Sequence, residues 1–179
     1  MSKFGKIVFT VKGNHEMPGF RYSLYLYPNY YTFRIGKVRF IVLDSNDLTN
    51  LMLLKLESYL EAYQNEGSFK IVLLHHPPFS CGKYKSSMNS FHRILKKFGI
   101  KLVISSHDHN YQRLKKDDIT YLVVGGGGAP LYGVQKNCPM LVNSYTGFSY
   151  VILSSHETQI SISAFSLKGE MIDHFQIHF

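Results

Sequence analysis

Apolar residues along this chain occur both in short runs and at helical spacing, and their order predicts an α/β core. Residues 7–11 are mostly β-branched or aromatic and lead into Gly13, which predicts a strand that feeds a loop. Residues 31–35 and 38–43 flank a Gly-Lys pair and predict a hairpin. The next predicted elements are a helix over residues 48–63, a strand over 71–74, a helix over 90–98 and a strand over 101–104.

The segments before and after this alternation of strands and helices have different sequence patterns. Residues 17–30 are rich in Pro, Gly, Tyr and Asn, and they predict a long surface loop. Near the end of the chain, strands without intervening helices are predicted over residues 119–124, 148–153, 159–165 and 171–177. We expect them to form a meander that closes the sheet, whereas the alternation in the middle favours parallel pairing. The 179 residues are predicted to form one domain, residues 1–179.

The predicted helix over residues 48–63 carries several apolar residues that fit one buried face. We expect Leu51, Leu54, Leu60 and Tyr63 to lie on that face.

Composition narrows the class of protein. The chain is 45% hydrophobic and 18% charged, which is typical of a globular fold rather than a disordered one. No stretch approaches the roughly 20 apolar residues that span a bilayer, so no contact with a membrane is predicted. The first residues lack a small-residue cleavage site and are not interpreted as a signal peptide. The compartment stays open.

The two cysteines, Cys81 and Cys138, lie far apart in the sequence and form no Cys-x-x-Cys pair. We therefore expect two small, semi-buried thiols rather than a disulfide framework.

The net charge is +8 and the isoelectric point is near 9.4, so the field of the protein favours anionic partners. Nucleic acid and phosphate esters are both anions of this kind. The basic residues are scattered, however, and no long basic run or RNA-binding signature is present. A solvated positive surface is therefore favoured over a nucleic-acid groove.

Three short polar segments follow predicted strands: residues 13–16 (GNHE), 75–78 (HHPP) and 107–110 (HDHN). Loops after the carboxyl ends of strands are where α/β sheets form ligand sites. Imidazole nitrogens and an amide oxygen suit transition metals such as zinc and iron. Taken singly, the segments have simpler explanations as a turn, a strand exit and a polar loop; together they favour one metal site. The remaining histidines are assigned to a helix surface and to edge strands: His92, His156, His174 and His178.

The segments GNHE, LLHHPPFSCG and SSHDHNYQR, with TYLVVGGGGAPLY after them, resemble the calcineurin-like metallophosphoesterases. The stretch YYTFRIGKVRFIVLDSN is similar to the purple acid phosphatase-like branch. The resemblance extends from about Val8 to Tyr132. It implies the C-terminal portion of an αββα sandwich, with two mixed sheets flanked by helices. It also implies hydrolysis of a phosphomonoester or phosphodiester by a metal-activated hydroxide, with Mn, Fe or Zn as the metal.

The resemblance implies the metal ligands. Asn14, His75 and His107 match ligands of one ion, and His109 matches a ligand of a second ion. His75 rather than its neighbour takes the ligand position, because a proline follows in the family's spacing.

The resemblance also implies contacts with the substrate, which is a small-molecule or macromolecular phosphoester. His15 matches the residue that contacts the phosphate and protonates the leaving oxygen, and a histidine with an ordinary pKa of about 6.5 can donate that proton near neutral pH. His76 is expected in the outer shell or facing the substrate. Arg113 offers a clamp for a phosphate oxygen, with a surface salt bridge as the alternative. Gly125 to Gly128 are expected to pack closely beside the metal loops.

The chain departs from the family pattern in its early motifs. The family's Asp-x-His and Gly-Asp segments are absent: none of the six aspartates heads an Asp-x-His or follows a glycine. We therefore expect either a truncated phosphoesterase or a non-enzymatic metal-binding fragment or subunit, which needs a partner chain to supply the missing ligands. A basic nucleic-acid-binding module is a third, less favoured hypothesis. Ser106 stands where the family has glycine, which puts the local geometry of that turn in question.

Overall fold

The structure, a computed structural model, describes residues 7–16, 20–46, 50–84, 86–135 and 137–178. Strands and helices alternate in its middle, as the sequence predicts. In chain order the elements are α1 (Phe20–Tyr25), β1 (Tyr31–Ile35), β2 (Val38–Leu43), α2 (Asn50–Ala62), β3 (Phe69–Leu74), α3 (Asn89–Lys97), β4 (Leu102–Ser105), β5 (Tyr111–Lys116), β6 (Ile119–Val124), β7 (Leu141–Tyr145), β8 (Ser149–Ser155), β9 (Gln159–Ser166) and β10 (Met171–His178). None of the described helices is long and apolar enough to cross a membrane.

A seven-stranded mixed sheet with the order β1-β2-β3-β4-β6-β5-β7 forms the centre of the fold. Strands β2, β3, β4 and β6 run parallel, and α2 and α3 connect the first three of them. The predicted hairpin is confirmed, because β1 pairs antiparallel with β2 and Ile35 lies opposite Val38. The parallel strands therefore end at one edge of the sheet, which positions the loops that follow them.

The last three strands form a separate antiparallel sheet with the order β10-β9-β8. Its inner residues Ile160, Ile162 and Ala164 pack against one face of the large sheet. Residues of α2 and α3, such as Leu56 and Leu95, pack against the other face. The predicted α/β sandwich is confirmed. The predicted meander exists, but it makes a second sheet that is antiparallel throughout instead of closing the first.

Helix α2 buries a different face from the predicted one. Met52, Leu56 and Leu60 are buried at an i, i+4, i+8 spacing, whereas Leu51 and Leu54 are exposed. The prediction was wrong for Leu51 and Leu54 because residues 51–54 are all apolar, so their periodicity does not select a face. Residues 48 and 49, where the predicted helix begins, lie outside the described residues.

Residues 7–11 do not form the predicted strand. The hydroxyl of Tyr27 donates a hydrogen bond to the carbonyl of Val8 (2.8 Å), and the hydroxyl of Tyr31 donates one to the carbonyl of Thr10 (2.6 Å). The ring of Phe9 stacks on that of Phe33, with 3.6 Å between centroids. The carbonyls of Val8 and Thr10 thus accept hydrogen bonds from tyrosine hydroxyls instead of from the N–H groups of a neighbouring strand. The segment is held in place by side-chain contacts.

Three elements were not predicted. α1 lies within the segment predicted as a loop over residues 17–30, of which residues 17–19 lie outside the described residues. β5 and β7 are rich in polar residues, so their sequences lack the apolar runs that identify buried strands. Both pair antiparallel near the edge of the large sheet, where backbone pairing does not require apolar side chains.

The two cysteines form a disulfide, so the prediction of two free thiols was wrong. Cys81 and Cys138 are separated by 57 residues in sequence, yet their Cα atoms lie 5.9 Å apart. The loop after β3 and the loop before β7 meet in space, a proximity that cysteine spacing does not reveal. The bond is within the Cα separation usual for disulfides.

Glu66 supports a testable prediction about acid stability. Arg39 donates hydrogen bonds from Nε (3.0 Å) and Nη2 to its carboxylate, and the hydroxyl of Ser68 donates another (2.6 Å). These bonds, chiefly that from Arg39, lower the pKa of Glu66 to about 2. The stabilisation is fully present above the unfolded pKa of about 4.3 and is lost as the pH falls toward 2.

We expect Glu66→Gln to be less stable than the wild type by about 1 kcal/mol at pH 7, and we expect this difference to shrink toward zero near pH 2. Urea unfolding at pH 7, 4 and 2.5 measures it. Glu157→Gln, at an exposed position after β8, is the matched control and should show no such pH-dependent difference. A Glu66→Gln deficit that stays constant over this range would contradict the prediction.

Candidate metal centre

The segments 13–16, 75–78 and 107–110 meet at the carboxyl edge of the large sheet. β3 and β4 are neighbouring parallel strands, so the residues after Leu74 and Ser105 emerge side by side. The N–H of Ser106 donates a hydrogen bond to the carbonyl of His75 (2.9 Å), which ties the two loops together. The convergence of the second and third segments follows from the topology of the sheet.

Three donor atoms come together at this edge. Nε2 of His75 lies 2.9 Å from Oδ1 of Asn14 and 3.1 Å from Nδ1 of His107. Two donors bound to one transition metal at about 2.1 Å, and at right angles, lie about 3 Å apart. The donor set therefore fits a single ion with nitrogen and oxygen ligands. The ligand roles themselves stay predictions.

The imidazoles of this cluster are held in the form that binds metal. Burial, and then the neighbouring His76 and His107, lower the pKa of His75 to about 4. Burial, and then His76, also lowers the pKa of His107. At neutral pH both rings are thus uncharged and offer a nitrogen lone pair to a cation.

His76 packs against both predicted ligands. Its ring centroid lies 4.9 Å from that of His75 and 4.4 Å from that of His107, and the ligand nitrogens of the three lie within 4.8 Å of one another. The hydroxyl of Ser45 accepts a hydrogen bond from the backbone N–H of His76 (2.8 Å) and lies 3.0 Å from Nδ1 of the His76 ring. A hydroxyl that already accepts one bond can donate its proton to Nδ1, which leaves the proton of His76 on Nε2.

His109 and His15 lie in the same cleft, which has a volume of about 300 Å³. Nδ1 of His109 donates a hydrogen bond to the carbonyl of Pro130 (2.8 Å), because a carbonyl only accepts. This bond leaves Nε2 of His109 as a free acceptor, an arrangement common among metal-binding histidines. His15 is exposed beside Asn14. His109 stands apart from the cluster of His75, His76 and His107.

The wall of the cleft is formed partly by the glycine-rich segment after β6. A Cβ atom on Gly125 would overlap the backbone of Asp108, so this position requires glycine. The predicted close packing therefore holds at Gly125. The described residues that line the cleft include no aspartate or glutamate: Asn14, His15, His75, Tyr84, Ser106, His107, His109, Val124, Gly125, Gly127, Gly128 and Ala129.

Arg113 lies outside the cleft that the histidines line. Its Nε lies 2.9 Å from Oδ2 of Asp173 on β10, and its guanidinium packs over the ring of Phe175 at 4.5 Å. Side chains alternate along a strand, so Arg113 projects to the same face of β5 as Tyr111, whose hydroxyl also donates to Asp173 (2.7 Å). The salt bridge left open by the sequence is therefore the one observed.

In the turn that follows β4, the unusual backbone conformation is found at His107 and not at Ser106. His107 has φ of 66°, a left-handed conformation that is unusual for a residue with a side chain. The loop is anchored by the buried carboxylate of Asp108, which accepts from the hydroxyl of Tyr132 (2.8 Å) and from the N–H of Tyr84 (3.2 Å). These bonds stabilise the loop that carries His107 and His109.

Sequence reasoning missed the residues that support the first loop. Lys12 and Asp44 form a buried ion pair (2.7 Å), and the side-chain amide of Asn46 donates to Asp44 (2.8 Å) and to the carbonyl of Gly13 (3.1 Å). Burial raises the pKa of Asp44, but hydrogen bonds from Lys12 and Asn46 outweigh it and lower the pKa overall. The triplet Asp-Ser-Asn directly after the buried strand β2 is the sequence feature that could have identified this polar support.

The other histidines lie away from the cleft. His156, His174 and His178 are exposed, on or beside strands of the small sheet. His92 is buried instead of lying on a helix surface, and its Nδ1 contacts the hydroxyl of Tyr121 at 2.7 Å. It occupies the inner face of α3, where this bond satisfies its polar atom.

Comparison with known proteins identifies the same family that the motifs resemble. A family model described as calcineurin-like phosphoesterase matches residues 1–111. A comparison with the curated proteins finds no significant match.

Solved structures share the fold at low sequence identity. GAP50, the anchor in the inner membrane complex of Plasmodium, superposes with a TM-score of 0.73 at 21% identity, over 87% of this chain and 56% of that one. The purple acid phosphatase PPD1 from yellow lupin (Lupinus luteus) seeds gives 0.73 at 18% identity, over 83% of this chain and 32% of that one. A dimetal phosphatase from Danio rerio gives 0.58 at 14% identity, over 84% and 60%. The chain thus spans roughly a third to three fifths of these proteins.

Proposed function

Since the chain belongs to the calcineurin-like phosphoesterase family, we propose that it is a metal-dependent hydrolase of phosphate esters. The observation that carries the proposal is the convergence of Asn14 Oδ1, His75 Nε2 and His107 Nδ1, within 2.9 and 3.1 Å. Three protein donors with an open position are the usual arrangement of a catalytic transition-metal site. Mn, Fe and Zn all suit this donor set.

A bound metal would polarise the phosphoryl oxygens and supply hydroxide at neutral pH. The residues of the chain perform the remaining tasks. His109 presents its free Nε2 to the cleft, either to a second ion or to a phosphate-bound proton. To His15, which lines the cleft beside Asn14 and is exposed, we assign the donation of a proton to the leaving oxygen, whose negative charge grows as the ester bond breaks.

A phosphatase assay on the purified chain tests the proposal. We expect added Mn²⁺ or Zn²⁺ to support hydrolysis of a chromogenic aryl phosphate. We expect His15→Ala to lower kcat about 100-fold with unchanged metal binding, because general acid catalysis contributes about 10²–10⁴-fold. His156→Ala, at an exposed histidine beyond β8, is the control and should keep wild-type turnover. Turnover that does not depend on added metal, or that survives His15→Ala, would contradict the proposal.

One observation favours a second candidate function. The described lining of the cleft contains histidines and an asparagine but no carboxylate, whereas paired metals repel each other unless anionic ligands compensate. A metal-binding chain that becomes active only with a partner chain supplying carboxylates would have such a lining. Metal uptake without turnover in the same assay would support this alternative over the isolated enzyme.

A further inference from the structure

Tyr84 lines the cleft but is neither a predicted metal ligand nor the predicted proton donor. Its side chain lines the cleft and is 45% exposed, high for a large aromatic residue. Its ring centroid lies 4.5 Å from that of His107. The tyrosine therefore stands directly beside the position where a phosphate would bind.

The loop that carries Tyr84 is fixed from several sides. The N–H of Tyr84 donates to Oδ1 of Asp108 (3.2 Å), and the N–H of Gly82 donates to the hydroxyl of Ser80 (2.9 Å). A Cβ on Gly82 would collide with the carboxylate of Asp108, so the chain passes unusually close to it. The disulfide from Cys81 holds the same loop. A ring held in this way needs little ordering when a ligand packs against it.

A cation and a second ring accompany Tyr84. Nζ of Lys83 lies 5.6 Å from the centroid of Tyr84 and 5.9 Å from that of Tyr132. The rings of Tyr84 and Tyr132 are 6.4 Å apart in an edge-to-face arrangement. The wall beside the histidine cluster thus combines aromatic surface with positive charge, which suits an anion that carries an aromatic ring.

We propose that Tyr84 is a specificity-determining residue that binds the aromatic group of the substrate, so that the preferred substrates are phosphate esters of aryl groups. The phosphate lies at the histidine cluster, and the organic ring packs on the exposed face of Tyr84. Offset stacking of two rings is favourable beyond the burial of apolar area. This inference rests on the proposed function, because it assigns the substrate class of the same site.

Binding of phosphonates, which contain a stable P–C bond, tests the inference without turnover. Calorimetry on the Zn²⁺-loaded chain would compare phenylphosphonate, cyclohexylphosphonate and methylphosphonate. We expect phenylphosphonate to bind about tenfold more tightly than methylphosphonate, a difference of about 1.4 kcal/mol. We expect cyclohexylphosphonate, which has a ring of similar size without π electrons, to bind more weakly than phenylphosphonate.

Variants at position 84 separate a contact with the ligand from a structural role. Tyr84→Ala should lower the affinity for phenylphosphonate about tenfold and leave that for methylphosphonate unchanged, whereas Tyr84→Trp should restore the preference. The chain has no tryptophan, so this variant also reports binding through its own fluorescence. Tyr150→Ala, which removes a 42% exposed tyrosine on β8, is the matched control and should change neither affinity.

Each other outcome overturns the inference. Equal binding of the three phosphonates, a preference that survives Tyr84→Ala, or an equal loss for phenylphosphonate and methylphosphonate in that variant would each exclude an aryl contact at Tyr84. A chain that binds none of the three phosphonates overturns it as well. Selective binding of phenylphosphonate by a chain without phosphatase activity would instead refute the proposed function and retain the inference.

Discussion

Replacing His75 with alanine is expected to abolish binding of a transition metal at the cleft. Nε2 of His75 is the atom that contacts both other predicted donors, Asn14 Oδ1 at 2.9 Å and His107 Nδ1 at 3.1 Å. Without it, two donors are left, which is fewer than the three that hold a catalytic metal. We expect the affinity for Zn²⁺ or Mn²⁺ to fall at least about 100-fold, which corresponds to about 2.7 kcal/mol.

Equilibrium dialysis or calorimetry measures this loss, with His174→Ala as the matched control. His174 is an exposed histidine on β10, where its Nδ1 contacts the hydroxyl of Ser163 at 3.0 Å. We expect that variant to bind metal as the wild type does. Urea unfolding of both metal-free variants excludes a general loss of structure as the cause. Wild-type affinity in a folded His75→Ala variant would show that other residues hold the ion.

The convergence of the two histidine loops after β3 and β4 was predictable because each loop follows a short apolar run that the sequence identifies as a strand. Leu74 and Ser105 end neighbouring parallel strands, so the topology alone brings the residues after them together. The support from Ser45 and from the Lys12–Asp44 pair was not predictable. These contacts join positions about 30 residues apart in sequence, and single side-chain hydrogen bonds leave no periodic signal.

In the fold, too, elements marked by apolar runs were predictable and polar elements were not. The parallel strands β3 and β4 were predicted because burial on both faces makes them apolar over most of their length. β5 was missed because most of its residues are polar, although several of them are buried. The sequence alone does not show which face of β5 is turned toward the small sheet. In the structure Tyr111 packs with Ile162 of that sheet, and Arg113, two residues later on the same face, pairs with Asp173 of β10. A segment such as 7–11 has strand-like residues, but no described backbone partner pairs with it.

Loss of the disulfide is expected to cause the largest change in stability. Cys81 and Cys138 close a loop of 57 residues. Chain-entropy arguments give about 4 kcal/mol for a loop of this length, because the cross-link restricts the unfolded chain. We expect Cys138→Ser to lower the free energy of unfolding by about 3–4 kcal/mol, as measured by urea unfolding under non-reducing conditions.

A reductant provides the control for this prediction. The wild type in dithiothreitol should lose about the same free energy as Cys138→Ser, whereas the variant itself should not respond to the reductant. A wild type whose stability is the same with and without reductant would contradict the disulfide. Since Cys81 lies three residues before Tyr84, the bond also limits the motion of the cleft wall. Cys138→Ser should therefore weaken binding of phenylphosphonate more than it weakens binding of Zn²⁺, because His75 directly follows β3 and is tied to the loop of His107 by the hydrogen bond from the N–H of Ser106 (2.9 Å).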